Sequence, residues 1–286
     1  MKRSFTRTML EKFANRYEYT VCFEKHSSVF GYMKFKNNER HYVSYNDLGI
    51  NNYVPVRIAR HKWTCLQMLK EAGFLVPESL QVFNKEYIDN DDYSYDQQSE
   101  KINDFVQEKG FPFFLKPAEG SQGQGVKKIT HLVELEELIR TGLQTERELI
   151  IEKAVSGIEI RLVIYDGKLF MAYSKQPRIG KNGKHSHLGN LSDGATATVC
   201  TNEIHTQYIN QAVRALRVLN LTYAAIDVMI PGNYSEPANS MTILEVNTNP
   251  GYHYFLQQHP VEKKSIEILF ELIIYDIAKV KNNKSL

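Results

Sequence analysis

Two apolar runs near the C-terminal end, each interrupted by an acid, restrict this chain more than any other feature. Ala224-Ala225-Ile226-Asp227-Val228-Met229-Ile230 carries one charge at its centre. Ile243-Leu244-Glu245-Val246-Asn247 carries a carboxylate and a carboxamide two positions apart. Short apolar runs of this kind read as buried strands. Side chains at i and i+2 of a strand share a face, so Glu245 and Asn247 point together and a neighbouring strand can add Asp227. Taken singly, each acid reads as an ordinary solvated residue at the end of an element. Taken together, three hard oxygen donors suit Mg²⁺, which takes one or two carboxylates and shares its remaining shell with water and substrate phosphates. Such a set points to an ATP-using enzyme.

At 286 residues, with 42% hydrophobic, the chain can bury a large core as one unit or as two or three lobes. A net charge of +2 gives no case for a nucleic-acid or membrane-surface partner. Cys22, Cys65 and Cys200 are odd in number and far apart, with no disulfide framework or zinc spacing, so a reducing compartment is expected. Lys2-Arg3 is not followed by an apolar segment, and no run reaches the roughly 18 residues of a membrane helix. The expectation is a soluble, cytoplasmic protein.

Residues 1–50 are aromatic and poorly patterned, apart from a hairpin over Val29 to Tyr45 that turns at Lys36-Asn37-Asn38-Glu39. A helix is predicted over 56–72 and a loop, or the lead into a short helix, over the acidic stretch 84–103. Strands are predicted around Phe111–Leu115, Val126–Ile129 and Leu149–Ile151, with a helix from Leu132. Asp166-Gly167 reads as the type I′ turn of a hairpin. Residues 174–203 are polar, 204–219 form an amphipathic helix, and a helix over about 261–279 closes the chain. The order is α+β with antiparallel pieces, not a βαβ succession.

Lys116 precedes the glycine-rich loop Glu119-Gly120-Ser121-Gln122-Gly123-Gln124-Gly125. No Gly-Lys-Ser/Thr follows, and the glycine spacing is not that of a dinucleotide fingerprint. The loop reads either as an exposed hairpin or as a phosphate cover built from backbone N–H groups. Glu152-Lys153-Ala154-Val155 leaves an apolar strand. It is either an ordinary connection or a backbone edge offered to a purine, with Glu159 placed for ribose hydroxyls.

In order along the chain, Lys62, Lys116 with its loop, Glu152 to Val155, Glu159, Asp227 and Glu245-x-Asn247 resemble the ATP-grasp superfamily. Arg57 to Lys62, Glu159 to Ile164 and Asn190 to Ala195 bring the likeness nearest to glutathione-synthetase-like ligases, including cyanophycin synthetases and the glutamate ligases of ribosomal-protein tails. The likeness spans residues of about 50 to 280. It implies an ATP-grasp fold of two α+β subdomains clasping ATP, behind a short N-terminal segment. The implied division is a lobe over 1–55, a first subdomain with the glycine-rich lid over 56–155, and a second with the Mg²⁺ site over 156–286.

The resemblance also implies roles. Lys62 and Lys116 hold ATP phosphates, and Ser121, Gly123 and Gly125 cover them. Glu152, Lys153 and Val155 meet adenine, and Glu159 the ribose. Asp227, Glu245 and Asn247 bind two Mg²⁺ ions, with Mn²⁺ as a substitute. Arg161, Lys175 and Asn190 steady phosphate or an acyl phosphate. The implied activity is ATP-dependent, ADP-forming ligation of a carboxylate to an amine on an amino acid, peptide or protein tail, often by dimers or tetramers. A small-molecule kinase on the same scaffold and a non-catalytic nucleotide-binding module are the competing readings.

Three departures stand out. His61 replaces the usual Asp before the lysine, Lys175 replaces a frequent Arg, and the segment before the ATP-binding part is short. The cations Lys175, Arg178, Lys181, Lys184, His185 and His187 read as a solvated loop or as a lid over phosphate and an acidic substrate.

Overall fold

A computed structural model describes residues 4–26, 29–87, 95–178, 189–237 and 241–282. Among the described residues, strands form three antiparallel sheets. The largest has the order β10-β9-β8-β11-β12, built from β8 (Ile158–Tyr165), β9 (Lys168–Gln176), β10 (Thr196–Val199), β11 (Tyr223–Ile230) and β12 (Thr242–Asn247). A smaller sheet, β4-β7-β5-β6, contains β4 (Ser79–Phe83), β5 (Phe113–Pro117), β6 (Lys127–Ile129) and β7 (Glu148–Lys153). The third is β1-β2-β3, from β1 (Tyr19–Phe23), β2 (Phe30–Phe35) and β3 (Arg40–Ser44).

The large sheet is buried on both faces because its central strands are apolar at both parities. Ile160, Leu162, Ala224, Ile226, Val228 and Ile243 turn one way. There they meet α2 (Tyr53–Arg60), α3 (Lys62–Glu71) and α6 (Thr206–Val218). Val163, Tyr165, Met171, Tyr173, Tyr223 and Ala225 turn the other way, onto α1 (Phe5–Phe13), α7 (His253–Gln258), α8 (Lys263–Asn282) and the inner face of the β1-β2-β3 sheet. Farther along this second face the same alternation brings up Glu159, Arg161, Lys175, Asp227 and Glu245. The small sheet has its own core with α4 (Tyr95–Lys109) and α5 (Leu132–Gly142). Among the described residues, no helix is long and apolar enough to cross a membrane.

The expected hairpin over 29–45 is β2 and β3, and Asp166 and Gly167 take φ of 46° and 70°, as a type I′ turn requires. Other expectations need correction. The first fifty residues contain a helix and three strands. Ser4 caps α1, accepting from Arg7 N at 3.1 Å, and Met9, Leu10 and Phe13 are buried at helical spacing. The single helix expected over 56–72 is two, because the chain extends at His61 (ψ 95°) and restarts. A fifteen-residue helix, α4, begins within the stretch 84–103, and among its described side chains Ile102, Phe105 and Val106 join the core of the small sheet. The polar stretch 174–203 contains β10.

Helices α2 and α3, through Val56, Ala59, Cys65, Leu66 and Leu69, share the core of the large sheet and not that of the small one. The N-terminal segment is tied to the large sheet as well. Asn51 Nδ2 donates to Tyr223 O at 2.7 Å, and its Oδ1 accepts from Thr222 N and Tyr223 N at 2.9 and 3.1 Å.

Candidate functional site

Strand register assembles the site. Across the large sheet Asp227 pairs with Glu245 on one side and with Arg161 on the other, and Glu159 pairs with Lys175. Paired residues on antiparallel strands project from the same face, so five charged side chains gather on one patch. Arg161 grips Asp227 with two bonds, Nε to Oδ1 at 2.7 Å and Nη2 to Oδ2 at 2.6 Å. Lys175 Nζ lies 3.1 Å from Asp227 Oδ1 and 2.5 Å from Glu159 Oε1. Burial alone would raise the pKa of Asp227, but Arg161 and Lys175 outweigh it and hold the carboxyl well below its ordinary value. The two cations gain in turn: burial works against their charge, and Asp227 more than restores it, raising both pKa values.

The small sheet supplies the opposing wall. Lys116 and Glu152, on neighbouring strands and both buried, are in ionic contact at 2.6 Å without a hydrogen bond to that Glu152 oxygen. Lys153 Nζ donates to Gly110 O and Phe111 O at 2.7 and 3.0 Å and sits over the Phe113 ring. Between the walls lies Lys62, the first residue of α3. Its Nζ donates to Gly120 O at 2.8 Å and stands 4.0 Å from Glu245 Oε1. Burial lowers its pKa, partly offset by Glu245.

A cleft of about 310 Å³ opens between the two sheets. Lys62, Lys116, Ser121, Gly123, Glu152, Lys153, Val155, Glu159, Lys175, Asn190, Asp227 and Glu245 line it. Three expected site residues are not on its wall. Arg161 reaches the site through Asp227. Asn247 accepts from Asn249 N at 3.1 Å. Gly125 (φ 72°) is packed against Pro117 at the base of the loop, where a Cβ would come within 2.9 Å of the proline ring. Lys181, Lys184, His185 and His187 lie outside the described residues.

Apolar residues complete the wall: Phe114, Val126, Met229 and Leu244. No chemical group in these side chains marks them as site residues. Period-two spacing could have found two, since Phe114 stands two residues from Lys116 and Met229 two from Asp227. Gly157 carries the chain from the small sheet to the large one. Its φ is 151°, and a Cβ there would lie 2.5 Å from Ile230 O. That close approach requires glycine.

Residues 69–264 match the D-ala D-ala ligase C-terminus family. The chain belongs to that family. Its D-ala D-ala ligase-like region contains every strand of both sheets that form the cleft. A probable alpha-L-glutamate ligase of Aeromonas salmonicida is 23% identical over 216 residues, covering 74% of this chain and 63% of the relative. The chain thus spans less than two thirds of that relative's length. D-alanine–D-alanine ligase of Bacillus anthracis superposes with a TM-score of 0.58 at 20% identity, covering 82% of this chain and 72% of the ligase. The ATP-grasp ligase PsnB gives 0.55 at 19% identity, over 79% and 62%. At these identities the structural likeness establishes the fold, which is ATP-grasp, with α+β units on either side of the cleft.

Proposed function

We propose that this chain is an ATP-dependent, ADP-forming carboxylate–amine ligase. The observation that carries the reading is the placement of two lysines from different elements, the half-buried Lys62 and the buried Lys116, on the wall of one cleft with the register-paired acids Asp227 and Glu245. Lysines and carboxylates converging on one cleft suit a polyphosphate bridged by a hard cation.

In this reading Lys62 and Lys116 hold phosphates, and Ser121 and Gly123 cover them, with Gly125 shaping the base of the loop against Pro117. Phe114, Val126, Met229 and Leu244 form an apolar slot for adenine, whose polar edge meets the backbone of 152–155. The Glu152 side chain is engaged by Lys116, so the backbone makes that contact. Glu159 takes the ribose.

The donor chemistry fits Mg²⁺. Among the described residues no three His, Cys, Asp or Glu side chains gather to hold a metal. The oxygen donors that β11 and β12 carry are the Asp227 and Glu245 carboxylates and the Asn247 carboxamide, an all-oxygen set of the kind Mg²⁺ prefers. A carboxylate has about four lone-pair sites, and Asp227 uses three on Arg161 and Lys175. Asp227, Glu245 and Asn247 would hold two ions, with Mn²⁺ as a substitute. When bound, the metal neutralises phosphate charge as it shifts during transfer.

The substrate carboxylate oxygen attacks the γ-phosphorus, and the bond to the ADP oxygen breaks. The amine nitrogen then attacks the acyl carbon, phosphate leaves with the electron pair, and the nitrogen gives up a proton. Lys175 and Asn190 face the cleft where phosphate charge develops, and Arg161 steadies the patch through Asp227. The named relatives and PsnB, whose structure holds a minimal precursor, support an amino acid or peptide as substrate.

Purified protein given ATP, Mg²⁺, pooled amino acids and dipeptides, and hydroxylamine as the amine tests the reading. Hydroxamate formed together with ADP is the expected result. A stable phosphorylated product, or nucleotide binding without turnover on any pool, would overturn it.

A further inference from the structure

We propose that His61 is a positioning residue that ties the small sheet to the nucleotide-facing end of α3, and so fixes Lys62 at the junction. It rests on the reading of Lys62 as a phosphate ligand.

His61 makes two different contacts with its two ring nitrogens. Nδ1 accepts from Thr64 N at 3.2 Å and lies 2.9 Å from Thr64 Oγ1. That is the contact of an N-cap, where a side-chain acceptor satisfies a free amide in the first turn. Nδ1 must therefore be unprotonated, which leaves the proton on Nε2. Nε2 faces Glu148 on β7, at 3.0 Å from Oε1 and 3.2 Å from Oε2. Glu148 is steadied by Gln81 Nε2 on β4, at 2.6 Å.

These contacts join two separately packed units. Helix α3 is rooted in the core of the large sheet, whereas Glu148 and Gln81 belong to the small one. One residue on, Lys62 N donates to Ala118 O at 2.9 Å, a second bond across the same junction. Lys62 Nζ then holds Gly120 O in the glycine-rich loop. The backbone of Lys62 is thus pinned by the cap on one side and by the small sheet on the other.

An Asp at this position could cap the helix equally well. It could not donate to Glu148 and would set a second carboxylate toward it. Histidine does both tasks because it is an acceptor at one nitrogen and a donor at the other.

Aspartate separates capping from tethering. Affinity for a non-hydrolysable ATP analogue with Mg²⁺, measured by calorimetry, reads the tether without turnover, so failure of the ligase reading would leave this test standing. His61→Asp should raise the dissociation constant about tenfold, and adding Glu148→Gln, which removes the facing charge, should bring it back to within about threefold of wild type, a coupling expected of residues in contact. Glu148→Gln alone should change it less than about threefold, since a Gln oxygen still accepts from Nε2. Amide exchange at 62–64 should quicken in His61→Asp and slow again in the double variant. Unchanged affinity in His61→Asp would show that capping alone suffices and would overturn the proposal. So would a double variant no better than the single one.

Discussion

Arg161 and Asp227 face each other across β8 and β11 in a two-bonded pair, with Lys175 as a second cation on the same carboxylate. The acid proposed as a metal ligand is thus also the residue that holds a buried lysine and a half-buried arginine together. Removing one partner of a buried ion pair leaves the other charge uncompensated, at a cost of about 3 kcal/mol. Asp227→Ala should therefore lose about that much stability in urea titrations, and Asp227→Asn should abolish ADP formation. Wild-type turnover in Asp227→Asn would remove Asp227 from the metal set.

The site was legible where the signal was a chemical group at a strand period. Asp227 and Glu245 were read from such runs, and register brings them to one patch with Glu159, while Lys116 stands on the opposing wall. What stayed hidden depended on partners far away in sequence. Nothing local to Lys116 and Glu152 shows that they pair, because their strands become neighbours only when the small sheet closes. The break at His61 was concealed because apolar spacing continues across it from Ile58 to Cys65 and Leu66. Helix α4 was masked by its polar surface, and α1 by a short segment whose burial depends on α8.

Gly157 marks the point where the chain crosses between sheets. A methyl group there would meet Ile230 O, and the backbone angle is one that side chains rarely adopt. Gly157→Ala should destabilise the protein by about 2 kcal/mol and weaken binding of an ATP analogue. A melting temperature and affinity equal to wild type would show that the crossing yields freely.

His41 sets a pH dependence remote from the cleft. Its Nε2 contacts Leu48 O at 2.6 Å, and burial is the main cause that lowers its pKa. The unfolded chain therefore takes up the proton first. Stability should be level above the ordinary histidine pKa of about 6.5. Below it, stability should fall by up to about 1.4 kcal/mol per pH unit, until the folded state is itself protonated. His41→Gln should flatten that part of the profile in urea titrations from pH 7.5 to 5; an unchanged slope would assign it to other groups.

The cysteines differ in access, not in role. Burial pushes the Cys65 thiol up to about 12 and the Cys200 thiol up to about 11, and both are 1% exposed, whereas Cys22 is partly exposed. A thiol reagent at pH 8 should modify one cysteine quickly in the native state and three after denaturation. Because the proposed chemistry uses no side-chain nucleophile, Cys22→Ser should keep full ligase activity. Loss of activity with an unchanged melting temperature would assign Cys22 a part in the reaction.

In the proposed ligation a carboxylate oxygen becomes bonded to the γ-phosphorus. With the carboxylate substrate found by hydroxamate trapping and labelled with ¹⁸O, mass spectrometry of the released phosphate tests this directly. An acyl phosphate route delivers one labelled oxygen to phosphate in each turnover. Product formed with unlabelled phosphate, or with AMP and pyrophosphate in place of ADP, would contradict it.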